Sequence, residues 1–214
     1  MKSGQITAVR QDHKQRQRYH IDVEDEYAFS VHEDILIKYN LFRGTTIDES
    51  FYGEVLHAEE RHRAYLAALR YLGIKPRTRR QLKTYLRAKG YSEQVGEEVC
   101  AQLAEQRYID DRAFARQWVE ERLRLKPRSS CMLRMELAQK GLEKEIVEEA
   151  LRAITPEDEL EAARALVEKK LRRTMGRPSP EEERKLLGLL GRKGFSHSIL
   201  QQIRSELRTR VDRI

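Results

Sequence analysis

A proline followed fourteen residues later by a glycine occurs three times in this chain: Pro76 and Gly90, Pro127 and Gly141, Pro180 and Gly194. Each glycine follows a lysine (Lys89, Lys140, Lys193) and precedes a large apolar residue (Tyr91, Leu142, Phe195). Offsets of 51 and 53 residues align the rest. Leu82, Leu133 and Leu186 form one column, and Leu86, Leu137 and Leu190 the next. After the glycine come Val95, Ile146 and Ile199, then Val99, Ala150 and Ile203, then Leu103, Ile154 and Leu207. So many matched columns are an internal repeat, which restricts the fold to tandem copies of one small unit.

Each unit reads as three helices. Proline suits a helix start, where the missing N–H would have no intrahelical partner. Thr78–Gln81 and Ser179–Glu182 fit the pattern of a capping box. Leucines four apart line one face of the helix. Glycine then supplies a left-handed residue that ends it, with a basic residue in the last turn to suit the dipole. The columns spaced by four after the glycine mark a further helix. Another precedes each proline, about 61–71, 111–123 and 158–171. The loop Leu72-Gly73-Ile74-Lys75-Pro76-Arg77 is echoed by Leu123-Arg124-Leu125-Lys126-Pro127-Arg128, whereas the third copy has the longer connection Arg172–Arg177. Gly188 and Gly191 lie inside its second helix, at about 1 kcal/mol each against alanine. The third unit is therefore expected to be the softest.

The first 56 residues differ. Tyr19, Ile21 and Val23, then Tyr27, Phe29 and Val31, alternate around Glu24-Asp25-Glu26, which predicts a hairpin, with Gln5–Arg10 as a third strand. Glu33–Asn40 reads as a short helix and Ile47–Gly53 as another short turn or helix. The expected fold is mostly α: a small β-hairpin-containing cap over 1–56, then three-helix repeats over 57–109, 110–155 and 156–214, in an elongated or curved array. No apolar run approaches the roughly 18 residues of a membrane span, and Met1-Lys2-Ser3-Gly4 does not open a signal peptide. Cys100 and Cys131 fall in different repeats and read as two buried thiols in a reducing cytosol.

Charge divides with the architecture. The cap carries 7 Lys/Arg against 10 Asp/Glu, and the repeats carry 35 against 25. A basic helical array suits a polyanion or an acidic protein surface. Lys75, Arg77, Arg79, Arg80 and Lys83 surround a helix start in the first repeat. Arg122, Arg124, Lys126 and Arg128 occupy the matching stretch of the second, and Lys169, Lys170, Arg172, Arg173 and Arg177 that of the third. Any one cluster is readily a solvated face. Recurrence at equivalent positions makes these residues the candidate binding stripe. Tyr71, Tyr85 and Tyr91 have the right chemistry to stack on bases, but their helical spacing favours packing.

Evidence of catalysis is scant. Asp110-Asp111 is an adjacent acidic pair, but it sits where the following helix wants a cap. His57 and His62 are five apart, His13, His20, His32 and His197 are scattered, and none has a metal-binding context. There is no phosphate-binding glycine loop. The sequence thus offers no enzyme, no metal and no cofactor.

Tyr108-Ile109-Asp110-Asp111-Arg112-Ala113-Phe114-Ala115 resembles the signature between the first two repeats of RecX, the family of regulatory proteins of the RecA recombinase. Arg79-Arg80-Gln81-Leu82 with Leu86 and Lys89-Gly90, and Glu136-Leu137-Ala138-Gln139-Lys140-Gly141-Leu142, fit that family's repeat pattern. Tyr27-Ala28-Phe29-Ser30-Val31 resembles the β-containing extension of its Gram-positive members. The third repeat matches least well. The resemblance implies a cytoplasmic, monomeric, non-enzymatic modulator. Such a protein lies along the RecA filament on single-stranded DNA, touches DNA mainly through the filament, and restrains recombination, ATP hydrolysis and SOS induction. The alternative is a helical DNA-binding protein acting on DNA directly. Against it, the helices after Gly90 and Gly141 open with Ser92-Glu93-Gln94 and Glu143-Lys144-Glu145, whose acids would face phosphates. A nuclease using Asp110 and Asp111 is a more distant alternative.

Overall fold

The computed structural model describes residues 3–125, 127–171 and 178–209. Four strands come first: β1 (Gly4–Gln11), β2 (Arg18–Val23), β3 (Glu26–His32) and β4 (Thr46–Ile47). They form one antiparallel sheet in the order β3-β2-β1-β4. The hairpin turns at Glu24 and Asp25, whose φ angles of 50° and 60° match the right-handed twist of the strands. Neither residue is glycine, so hydrogen bonds hold the turn. The Glu24 carboxylate accepts from the Gln5 amide at 2.7 Å, and the Asp25 amide donates to Thr7 Oγ1 at 3.0 Å. Alternation puts Ile6, Ile21, Val23, Phe29 and Val31 on one face. They pack with Ile35 and Leu36 of α1 (Glu33–Lys38) and with Val55 and Ala58 of the next helix.

That helix, α2, runs unbroken from Glu49 to Leu72. A short element near 47–53 and a separate helix near 61–71 were expected; they are one. Gly53 interrupts nothing because its surroundings are open and the helical pattern continues through it. The same helix therefore closes the cap core through Val55 and opens the first repeat through Ala64 and Ala68.

The repeats follow with α3 (Arg79–Ala88) and α4 (Glu93–Glu105), then α5 (Asp111–Leu125), α6 (Ser130–Gln139) and α7 (Lys144–Leu151). The last three are α8 (Pro156–Leu171), α9 (Pro180–Arg192) and α10 (His197–Thr209). All six leucines of the two paired columns are buried. The three glycines have φ of 88°, 82° and 75°, the left-handed stop their spacing predicts. The residue after each glycine returns its amide to the helix: Tyr91 to Leu86, Leu142 to Leu137, Phe195 to Leu190. Both capping boxes form. Thr78 and Gln81 exchange bonds of 3.2 and 3.3 Å, and Ser179 and Glu182 bonds of 2.8 and 3.3 Å.

Two expectations need correcting. In the second repeat α7 is short and buries Val147 and Leu151, so Ile146 is half-buried and Ile154 lies beyond the helix. Thr155 and Asp158 already cap the next helix there, with bonds of 2.8 and 3.1 Å. Cys100 is buried as expected, but Cys131 is exposed in the first turn of α6; neither is in a disulfide. The 172–177 connection lies outside the described residues.

The chain divides into two compact units: Met1–Pro76 with Leu82–Tyr108, and Arg77–Gln81 with Ile109–Ile214. The start of α3 thus belongs to the second unit. There a Cβ on Gly141 would lie 1.9 Å from Cδ and 2.7 Å from Cβ of Arg80, whereas Gly90, in the first unit, faces open space. Gly90→Ala should therefore cost about 1–2 kcal/mol for the left-handed backbone alone, and Gly141→Ala distinctly more. Gly188 has ordinary room around it, so Gly188→Ala should stabilise by about 1 kcal/mol. Denaturant unfolding of the three variants checks the order.

Candidate functional site

The residue that caps α3 is Thr78, and its equivalent at α6 is Ser129. Both are fully buried, unusual for a cap at a helix start. The reason is what their hydroxyls do besides capping. Thr78 Oγ1 donates to the Lys140 carbonyl at 2.7 Å, and Ser129 Oγ donates to the Lys193 carbonyl at 2.5 Å. Each lysine is the last residue before a left-handed glycine, where helix carbonyls lack partners. A second contact recurs beside the first. The Arg79 amide donates to Asp111 Oδ1 at 2.9 Å, and the Ser130 amide donates to Glu159 Oε1 at 2.7 Å. An acid from the next repeat's first helix thus caps the second helix of the repeat before it.

This accounts for the adjacent aspartates. Asp110 accepts from the Ala113 amide at 2.8 Å and caps α5, while Asp111 reaches Arg79. Burial raises the Asp111 carboxyl above its ordinary value, although the Arg79 amide opposes this. Both carboxylates serve backbone amides, an arrangement suited to holding helices rather than to moving protons.

The candidate stripe separates into bound and unbound cations. Phe114, Trp118 and Arg122 stand four apart on α5 and so share one face. The Arg122 guanidinium lies 4.0 Å from the Trp118 ring centroid and the Lys140 ammonium 3.9 Å from it. Glu136 of α6 accepts from Trp118 Nε1 at 3.0 Å, Arg122 Nε at 3.1 Å and Arg128 Nε at 3.1 Å. Burial alone would raise the Glu136 carboxyl, but these three donors outweigh it and hold it below the ordinary value. Arg122 and Arg128 therefore brace the second repeat. Lys83 pairs with Glu97, and the Arg80 stem covers Gly141. Arg77 is half-buried and Arg79 exposed.

Lys75, Arg124, Lys169 and Lys170 are exposed and make no ion pair among the described residues. Lys126, Arg172, Arg173 and Arg177 lie outside the described residues. Tyr71 and Tyr85 stack on each other at 4.0 Å, so these half-buried rings serve packing. The Trp118–Glu136–Lys140 cluster escaped the sequence reading. Its available signal was the spacing of Phe114, Trp118 and Arg122.

Comparison with known proteins matches this architecture part by part. The family model for the RecX N-terminal domain matches residues 4–48, and those for the first, second and third RecX three-helix domains match 64–103, 110–151 and 157–203. The chain is 32% identical over 211 residues to the "Regulatory protein RecX" of Bacillus cytotoxicus, covering 97% of this chain and 78% of that one. Its identity to the protein of the same name from Bacillus cereus, and its coverage, are the same. A crystal structure of regulatory protein RecX superposes with a TM-score of 0.78 at 30% identity, covering 95% of this chain and all of that one. RecX from Lactobacillus salivarius gives 0.65 at 28% identity over 71% of this chain and 99% of its own.

Two outcomes follow for the site. Thr78→Ala should cost about 2 kcal/mol, because a cap and a buried carbonyl's partner go together. Thr78→Ser keeps the hydroxyl and should cost less, which chemical denaturation would resolve. Glu136 contributes stability above the ordinary glutamate value of 4.5, and loses it as pH falls through its depressed folded value. The stability gap between the native protein and Glu136→Gln should therefore narrow on acidification below about pH 4.5.

Proposed function

The chain belongs to the RecX family of regulatory proteins, and on that premise we propose that it binds the RecA filament on single-stranded DNA and restrains it. It acts in the cytoplasm, as a monomer and without catalysis, limiting ATP hydrolysis, recombination and SOS induction. It meets DNA mainly through the filament. The observation that supports this most is that the cap and all three repeats match the family's domains in order, the third included. Repeated modules present several similar surfaces to a partner built of repeated protomers, and weak contacts then add through effective concentration.

Electrostatics supports a cationic approach to that partner. Lys75, Arg124, Lys169 and Lys170 are exposed cations without internal duties, the kind that steers association and sets its salt dependence. Asp110, Asp111 and Glu159 each accept from a backbone amide at a helix start, a structural use that does not call for a nuclease. Among the described residues no helix is long and apolar enough to cross a membrane.

The test is single-strand-dependent ATP hydrolysis by the cognate RecA, titrated with this protein from well below one per protomer. Suppression is expected at low ratios. Reversing Lys75, Arg124, Lys169 and Lys170 to glutamate should raise the amount needed by about tenfold, with helix content unchanged, since exposed pairs are each worth about 0.2–1 kcal/mol. No suppression at any ratio, with tight salt-sensitive binding to bare DNA, would instead select direct action on DNA.

A further inference from the structure

Two side chains near one another in sequence and a third about 30 residues further on meet in the first unit. His32 ends β3 and caps α1, Asp34 stands in the first turn of α1, and His62 lies on α2. Asp34 Oδ2 is 3.5 Å from His32 Nδ1 and 3.5 Å from His62 Nε2, and one ligand atom from each residue lies within 4.8 Å of the others. A tetrahedral ion with bonds of about 2.0–2.1 Å needs donor atoms roughly 3.3 Å apart. The two histidine–aspartate edges already have that spacing.

The hydrogen-bonding pattern suits a cation. His32 Nδ1 accepts from the Asp34 amide at 3.2 Å, so that nitrogen carries a lone pair rather than a proton. His62 Nε2 is buried and has no hydrogen-bond partner among the described residues, which is costly for a polar atom unless something else engages it. The setting is braced from behind. Glu59, only 4% exposed, accepts from the His32 amide at 2.8 Å and from Arg18 Nη1 at 3.0 Å. The Asp34 side chain is 62% exposed, so water can complete the coordination.

We propose that His32, Asp34 and His62 form a site for a divalent cation of the zinc class, which would tie the β3–α1 junction to α2. Two imidazoles and one carboxylate favour such ions over calcium or magnesium. The ion would replace the long amide contact to His32 Nδ1 and give His62 Nε2 its missing partner. Because α2 closes the cap core and also opens the first repeat, the clip would stabilise both.

Isothermal titration of the tag-free full chain with zinc alone tests this. One equivalent should bind, with a rise in melting temperature. Asp34→Asn, at an exposed position, should weaken binding by about tenfold or more while leaving the metal-free melting temperature near that of the native protein. His62→Ala should abolish it, and His57→Ala should not, since His57, elsewhere on α2, pairs with Glu98 of α4. Cobalt should give the visible absorption of a tetrahedral site in the native chain and in His57→Ala only. No uptake by the native chain, or uptake unchanged in both Asp34→Asn and His62→Ala, would overturn the assignment.

Discussion

A helix that stops at a lysine–glycine pair leaves the lysine carbonyl facing away from its own helix, and a buried carbonyl without a partner costs about 1–3 kcal/mol. In this protein the partner is the hydroxyl that caps an earlier helix, Thr78 for Lys140 and Ser129 for Lys193. One small side chain therefore satisfies a helix start and a helix stop together. The hydroxyl must be buried to do so, the glycine must lack a Cβ to let the earlier helix approach, and a carboxylate must come from the next repeat to the neighbouring amide. All three conditions recur at Thr78, Gly141 and Asp111, and at Ser129, Gly194 and Glu159.

The joint also decides which charged residues remain for a partner. Asp111 and Glu159 are drawn inward to cap amides, and Glu136 is drawn onto Trp118, Arg122 and Arg128. These three acids hold helices, while Lys75, Arg124, Lys169 and Lys170 stay outside.

Much of the fold was legible because it rests on local chemistry. Proline, the leucines four apart and lysine–glycine each act within a few residues, so the helices of the repeats followed from spacing. The fusion of α2 was not legible, since Gly53 and the change from cap to repeat both looked like a break. Tertiary packing on Val55 and Ala64 carries the helix through. Cys131 was read as buried from its helical position, but α6 begins there and turns that side chain outward. At the candidate site, charge alone could not separate Arg122 from Arg124, because the difference lies in Glu136 and Trp118 opposite. The meeting of His32, Asp34 and His62 depends on sheet and helix packing across 30 residues, beyond the reach of spacing.

The measurement that tests the account most directly is native-state hydrogen exchange at the amides of Arg79 and Ser130. First-turn amides of a helix normally exchange fast, because no intrahelical carbonyl protects them. If the joints hold the repeats, both amides should exchange as slowly as the interior of α6, and Ser130 should lose that protection in Ser129→Ala. Exchange of both at the rate of frayed helix ends in the native protein would contradict the account.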